Sequence, residues 1–368
     1  MKISSKNILK YLIIIVIIST TISFGIKYLG TFQMLPWNLA YNDVGGWYKK
    51  ASEPGLPYID KLVEYPVITG MFIHLSSRST AQLYMFLHYF VFLICAVITT
   101  IYLYKLSESL NTDKKFLFIF WALSPGLLWF VYYNWDIIVV MFSTMALYYF
   151  NEKKDITGGI LLGLGFAAKM YPIVFLLPIL LHRKFIDWIK ISVAVFGTFF
   201  LVNSYFIFTK FEGWLYTYFF HSIREPNIDT IWHLIQIVFP DLTVNMINMI
   251  TLFLFAGIYV YMNLSLMKSH FIKTAFLSVL IFLIINKVFS PQFILWLLPF
   301  FAIYGLNLKQ FYLLEGSNLA VLFTTIPHIF SGKEFTFWLV LSGLFVALRH
   351  VTLFILAIRL GKKLTHRK

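Results

Sequence analysis

Residues 8–29, ILKYLIIIVIISTTISFGIKYL, form a run with only two charged side chains, Lys10 and Lys27. A straight α-helix needs ~20 apolar residues to cross the hydrocarbon core of a bilayer, so this run is long enough to span one. The alternative is a cleaved signal peptide, but the run is long for a signal-peptide core and has no clean small-x-small site before Lys27. We therefore predict an uncleaved first membrane span.

The composition of the whole chain indicates a polytopic membrane protein. Its 368 residues are 60% hydrophobic and 12% charged, with a mean hydropathy of +0.78, whereas soluble domains are about a quarter charged. The net charge of +14 lies in short clusters between apolar runs, which argues against nucleic acid as a partner. No polar linker divides the sequence, so we predict one integral membrane domain over residues 1–368.

The apolar runs predict an all-α fold with about twelve transmembrane segments. Short runs are joined in pairs by tight polar connectors: 116–133 with 137–150, 156–169 with 171–182, and 273–286 with 292–307. The runs long enough to span alone are 8–29, 81–106, 185–208, 245–267, 311–330 and 335–360.

Basic clusters give the predicted orientation, because cytoplasmic loops of membrane proteins carry an excess of Lys and Arg. Cytoplasmic N- and C-termini place the basic clusters at 107–115, 151–155, 182–184 and 268–273 inside the cell. The loops 30–80 and 209–244, with the connectors of the three short pairs, then emerge on the extracytoplasmic face of the cell membrane. We expect the functional site on that face, because the polar and ionisable residues of the loops and connectors gather there.

The first loop carries two carboxylates of interest. Asp43 stands among aromatic residues and two glycines in NLAYNDVGGWYKK (38–50). Ionisable groups beside lipid are costly and usually face a cavity or a partner. Asp43 is either the N-cap of an interfacial helix or a functional carboxylate. Glu64 and Tyr65 open the next apolar stretch, and Glu64 is either an ordinary loop carboxylate, a first-turn charge of the next helix or part of the site.

The connectors of the first two short pairs carry the next candidates. In YNWD (133–136), Asn134 precedes Asp136, which either caps the following helix or contacts a substrate. In GLGFAAKMYP (163–172), Lys169 and Tyr171 lie at the outer end of a glycine-rich helix that Pro172 ends. Lys169 is either a snorkelling lysine or, because the positive-inside bias disfavours it there, has an anionic partner.

Two later loops add basic residues. In FFHSIREPNIDTIW (219–232), His221 and Arg224 share a face if the segment is helical, and arginine with histidine suits a phosphate. The alternative is a solvated loop in which Arg224 pairs with a neighbouring carboxylate. In NKVFSPQF (286–293), the donors Asn286, Lys287 and Gln292 lie at a helix break, which favours ligand binding.

We expect a structural role for two charged residues of the last apolar runs. Glu315 and Arg349 lie inside those runs and could pair with each other across the hairpin. The histidines show no metal-ligand spacing.

Six motifs in order resemble a known family. They are ND…GGWY, PYIDKLVEYP, YNWD, GLGFAAKMYP, REPNIDTIW and NKVFSPQFILW, which run from Asn42 to Trp296. The sequence is similar to the C superfamily of glycosyltransferases (GT-C), and within it to glycosyltransferase family 87. Enzymes of that branch span the membrane many times and take mannose from a polyprenyl-phosphate donor on the extracytoplasmic side.

The resemblance implies a GT-C fold, a hexosyltransferase that uses mannose as the family usually does, and Asp43 as the general base. Membrane lipids, the polyprenyl-phosphate sugar and a lipid or glycan acceptor are the implied partners. Val44 and Gly45 follow Asp43 where some relatives have a metal-type Asp-x-Asp, so we expect no metal or other cofactor. The implied substrate and phosphate contacts are Glu64, Tyr65, Lys169, Tyr171, His221, Arg224, Asn286, Lys287 and Gln292, with Asn134 and Asp136 as secondary candidates.

Direct displacement of the phosphate by the acceptor would invert the anomeric configuration. The alternative function is a transporter or flippase of lipid-linked sugars. Transporters concentrate polar residues near the midplane of the membrane and often have internal repeats. Here the polar residues gather on one face and no repeat is visible, which favours the enzyme.

Overall fold

A computed structural model describes residues 5–36, 40–331 and 337–365, so Trp37 of the first-loop aromatic residues lies outside the described part. The described residues are helical over most of their length and contain no β-strand, which confirms the all-α prediction. The α-helices are α1 (Ser5–Thr31), α2 (Asp43–Ser52), α3 (Val67–Ser76), α4 (Ala81–Ser109), α5 (Lys115–Leu117), α6 (Pro125–Phe130), α7 (Asp136–Asn151), α8 (Asp155–Ala168), α9 (Leu176–Leu180), α10 (Phe185–Thr209), α11 (Phe211–Ile223), α12 (Ile231–Val238), α13 (Val244–Ser265), α14 (Phe271–Ile285), α15 (Leu298–Tyr304), α16 (Leu308–Ser331) and α17 (Phe337–Thr365).

Five of the described helices are long and apolar enough to cross a membrane: α1, α4, α10, α13 and α17. The three predicted short pairs form short apolar helices that break at the predicted connectors. A π-helix (Phe118–Ala122) lies in the first pair, and 3₁₀-helices (Tyr171–Phe175 and Pro291–Trp296) follow the other two breaks. The chain therefore has a membrane-type helical fold, while the count of twelve spans and the orientation stay predictions.

The chain forms two compact units. The first comprises residues 1–173, 183–221 and 298–305, and the second comprises residues 174–182, 222–297 and 306–368. The single membrane domain over residues 1–368 stays a prediction.

In the first unit, close helix packing depends on small residues of α8. A Cβ added at Gly163 would lie 2.5 Å from the carbonyl oxygen of Val195 in α10. Glycine therefore lets the two backbones approach closely, as small residues do at helix interfaces in membranes. This packing lies one to two turns before the C-terminal end of α8, where Lys169 follows Ala168.

An aromatic cluster holds the turn between α6 and α7. The ring of the fully buried Tyr132 lies 5.1 Å from that of Phe24 and 5.5 Å from that of Phe92. The Tyr132 hydroxyl donates to the carbonyl oxygen of Met85 at 2.7 Å. Asn134 and Asp136 follow this anchored residue by two and four positions, so the packing of Tyr132 restrains the turn that carries them.

Helix α11 lies within the predicted loop 209–244 and contacts the first loop. Thr217 donates to the carbonyl oxygen of Val63 at 2.8 Å, and the Nε2 atom of His221 lies 3.1 Å from the carbonyl oxygen of Glu64. The buried Tyr58 donates to the carbonyl oxygen of Tyr65 at 2.7 Å. These bonds hold the backbone of residues 63–65 in place.

In the second unit, the fully buried Arg349 of α17 organises two chain breaks. It donates to Asn318 Oδ1 at 2.9 Å, to the Phe289 carbonyl oxygen at 3.0 Å and to the Asp229 carbonyl oxygen. The pairing with Glu315 that the sequence allowed is not among the bonds that Arg349 makes in the described part of the chain, while its buried, structural position agrees with the role expected for it. Backbone carbonyls exposed at helix breaks need donors inside a membrane protein, and Arg349 supplies them.

Candidate functional site

Asp43 is the first residue of α2 but does not cap it. The side chain of Asn42 accepts a hydrogen bond from the backbone N–H of Gly45 at 2.7 Å and is therefore the N-cap. Gly45 is required here, because a Cβ would lie 2.3 Å from Oγ1 of Thr31. The alternative in which Asp43 is the N-cap is therefore wrong. The carboxylate of Asp43 makes other contacts instead.

The carboxylate of Asp43 accepts two side-chain hydrogen bonds. Tyr41 donates its hydroxyl to Oδ1 at 3.0 Å, and Asn134 donates its amide to Oδ2 at 2.5 Å. The backbone N–H of Asp43 also donates to the Tyr133 carbonyl oxygen at 2.9 Å. Asp43 is partly buried and is tied to the connector between α6 and α7 through both its backbone and its side chain.

The amide of Asn134 has a defined orientation. Its Oδ1 accepts from the backbone N–H of Trp135 at 2.5 Å, so the NH₂ group faces Asp43 and the Tyr65 hydroxyl, 3.4 Å away. The Tyr65 ring makes edge contacts with the rings of Trp47 and Trp135, at centroid distances of 5.1 and 4.9 Å. Asn134 is buried and bridges Asp43 and Tyr65.

A second carboxylate of the connector, Asp136, forms an ion pair. Its side chain is fully buried, and Oδ1 lies 2.5 Å from Nζ of Lys169. The side chain of Lys169 is 20% exposed. Lys169 therefore has the anionic partner that its position indicated, and the partner belongs to the chain itself.

Burial raises the pKa of the Asp43 carboxyl above its ordinary value. The hydrogen bonds from Asn134 and Tyr41 and the charge of Lys169 lower this pKa, while the charge of Asp136 raises it further. The charge of Asp43 in turn raises the pKa of Tyr41, so that hydroxyl remains a donor. The balance leaves a carboxylate that is more basic than a solvated aspartate.

A cavity of about 240 Å³ lies in the first unit beside Trp47. Its lining includes Trp47, Lys50, Lys61, His74 and Ile73. Lys50 Nζ lies 4.5 Å from the centroid of the Trp47 ring. Burial lowers the pKa of His74, and the charges of Arg78 and Lys61 lower it further. This cavity was not predicted from the sequence. Its only trace there is the presence of Lys50 and Lys61 in a loop rich in aromatic residues.

The second unit contains a basic cluster. Arg224 Nη2 donates to Asn227 Oδ1 at 2.5 Å, and the Asn227 amide donates to Ser290 Oγ at 3.0 Å. Lys287 Nζ donates to the carbonyl oxygens of Ser222 and Arg224 at 3.0 and 2.8 Å. Burial, followed by the charge of Arg224, lowers the pKa of Lys287 to about 8.

The remaining candidates lie outside the two clusters around Asp43 and Arg224. Helix α11 ends at Ile223, before Arg224, so the shared helical face of His221 and Arg224 does not form. Tyr171 is buried. Asn286 Oδ1 accepts from the backbone N–H of Val288 at 3.3 Å, and Gln292 is buried.

The structure thus places the candidates in two groups, each within one unit. Asp43 lies with Tyr65, Asn134, Asp136 and Lys169 in the first unit, while Arg224 lies with Lys287 in the second. Tyr41 and Asn227 were not among the predicted site residues. Tyr41 directly precedes the ND…GGWY motif and Asn227 lies within REPNIDTIW, and each makes a polar contact that only the folded chain reveals.

Comparison with known families identifies the enzyme class. The sequence profile of glycosyltransferase family 87 matches residues 65–285, which is more than half of the chain. The matched segment contains Tyr65, Asn134, Asp136, Lys169 and Arg224, whereas Asp43 precedes it. With its set of apolar helices, the chain belongs to glycosyltransferase family 87.

Proposed function

We propose that this glycosyltransferase moves a hexose, mannose in the first instance, from a polyprenyl-phosphate donor to a lipid or glycan acceptor. The reaction takes place on the extracytoplasmic face of the cell membrane and needs no cofactor. The observation that carries the proposal is the Asp43 carboxylate, held by Tyr41 and Asn134 and made more basic by burial.

The chemistry of transfer requires a base of this kind. The attacking hydroxyl of the acceptor must lose its proton as the anomeric carbon gains positive charge and the phosphate departs. Each carboxylate oxygen of Asp43 accepts one side-chain hydrogen bond and has further acceptor capacity for the acceptor hydroxyl. A carboxylate with a raised pKa is a stronger base at neutral pH than a solvated one.

Departure of the phosphate requires cations. Arg224 is the proposed main ligand of the phosphate, because the guanidinium fork matches phosphate oxygens, and Lys287 beside it adds a second positive charge. Further substrate contacts are proposed for the other candidates, Glu64, Tyr65, Tyr171, His221, Asn286 and Gln292.

The test uses purified protein in lipid nanodiscs with labelled polyprenyl-phosphate mannose and a membrane-lipid extract as acceptor. Asp43→Asn should lower transfer by ~10²–10⁴-fold, the usual contribution of a general base. Glu53→Gln removes one exposed carboxylate from the same loop and is the matched control. A near-normal rate for Asp43→Asn would refute the assignment.

Product analysis tests the rest of the proposal. NMR of the new glycosidic bond should show an anomeric configuration opposite to that of the donor. Retention of configuration would exclude single displacement. Relocation of the labelled donor without a new glycosidic bond would show that the protein is a carrier of lipid-linked sugar.

A further inference from the structure

We propose that Lys169 is the internal counter-ion of Asp136 and not a ligand of the donor phosphate, and that this neutral pair keeps the charge of Asp136 from acting uncompensated on Asp43. Lys169 and Asp136 are then positioning residues for the base. The inference rests on the proposed function, because it assigns their role relative to Asp43 as the general base.

The turn between α6 and α7 brings two carboxylates into one cluster. Asn134 contacts Asp43 at 2.5 Å, and Asp136 follows two residues later with its carboxylate fully buried. The electrostatic effects of Asp136 and Lys169 both reach Asp43, with opposite signs. Of these two charges, that of Asp136 is compensated by the ammonium group of Lys169.

A nearby negative charge raises the pKa of a carboxyl, so an Asp136 without its cation would disfavour ionisation of Asp43. Asp136 is the more deeply buried and gains most from the ammonium group 2.5 Å away. With Asp136 paired, Asp43 ionises without facing a second uncompensated negative charge. This leaves it free to accept a proton from a substrate hydroxyl.

The other titratable groups near Asp43 act neither as the base nor as the cation that compensates Asp136. Burial raises the pKa of Tyr65, and the charge of Asp43 raises that of Tyr41, so both hydroxyls stay protonated. Glu64 acts electrostatically on both tyrosines. Lys27 lies above the Tyr133 ring, with Nζ 5.8 Å from the ring centroid. Lys169 is thus the cation that acts on both carboxylates.

The experiment measures kcat/KM against pH for wild type, Lys169→Met, Asp136→Asn and the double variant, in nanodiscs. Lys169→Met should move the acidic limb of the profile up by about one pH unit, because loss of an opposite charge raises the pKa of a carboxylate. Below the limb, transfer should fall about tenfold. Asp136→Asn should move the limb in the opposite direction, because it removes a like charge.

The double variant separates this role from phosphate binding. It has no charge at either position, so the limb should return toward the wild-type pH. If Lys169 instead binds the donor phosphate, the double variant will stay as impaired as Lys169→Met and the KM for the donor will rise in both. That result, or an unchanged limb in Lys169→Met, would overturn the inference.

Lys190→Met serves as the control, because it removes a lysine from an ion pair with Asp187 on α10, with Nζ 3.2 Å from the carboxylate. Its pH profile should match that of the wild type. If Lys169→Met does not fold, the opposite shift expected for Asp136→Asn still decides the question. Failure of the proposed function is distinguishable, because Asp43→Asn would then retain activity whatever the Lys169 variants do.

Discussion

Replacing Asn134 by alanine should lower transfer at acidic pH, because Asp43 loses a hydrogen bond that stabilises its ionised form. The lost hydrogen bond is the shorter of the two that the carboxylate accepts, 2.5 Å against 3.0 Å from Tyr41. Hydrogen bonds to charged groups contribute about 1.5–3 kcal/mol. Because this bond stabilises the ionised form, its loss raises the pKa of Asp43 by about one to two units at 1.36 kcal/mol per unit.

The lower end of that range is expected, because Asp43 is only partly buried and water replaces part of the lost bond. The acidic limb of kcat/KM should therefore move up by about one pH unit, with a loss of about tenfold below it. The base acts when ionised, so a raised pKa removes activity at low pH first and leaves the least effect at high pH. Tyr41→Phe should produce a smaller shift in the same direction.

The assay is transfer from labelled donor across the pH range, at donor concentrations below KM. The matched control is Asn151→Ala, which removes an amide at the other end of α7, where Asn151 donates to Ser109. Its profile should be unchanged. An acidic limb within about 0.2 pH units of wild type in folded Asn134→Ala would refute the hydrogen-bond reasoning.

Three further changes test other parts of the structure. Arg349→Met should lower the free energy of unfolding by about 3–5 kcal/mol, because it leaves buried carbonyl acceptors without their charged donor, and a thermal-unfolding assay in detergent checks this. Gly163→Leu should lower the melting temperature sharply because its Cβ would meet the Val195 carbonyl, whereas Gly197→Leu, with nothing within 4 Å of the added Cβ, should not. Arg224→Ala should raise the KM for the polyprenyl-phosphate donor, and an unchanged KM and turnover would remove Arg224 from the site.

Much of the helical architecture could be predicted from apolar run lengths. The break before Tyr171 follows from Pro172, and the first span follows from residues 8–29. Helix α11 was missed inside the loop 209–244, because its aromatic-rich, mixed sequence has no clear apolar face. Its contacts with the first loop, such as that from Thr217, form only after folding.

The sequence indicated Asp43, Asn134, Asp136 and Lys169 as candidates but not how they pair in the structure. Asn42 and Asp43 are both good N-caps, and the sequence does not tell which of two neighbours adopts the capping conformation. The ion pair of Lys169 with Asp136 joins residues 33 positions apart, so it depends on the packing of α7 against α8 and not on a local pattern.

The backbone hydrogen bond from Asp43 to Tyr133 has a consequence for engineering. It links a segment that precedes the family match to a residue inside that match, and it uses main-chain atoms only. A first loop grafted from another member of the family can form this bond whatever non-proline residue stands at position 43, although the cap and the close approach also require Asn42 and Gly45. Under the proposed function, such a chimaera should be active only where the grafted loop has an aspartate at position 43 and the host keeps Asn134, because this amide donates to the carboxylate.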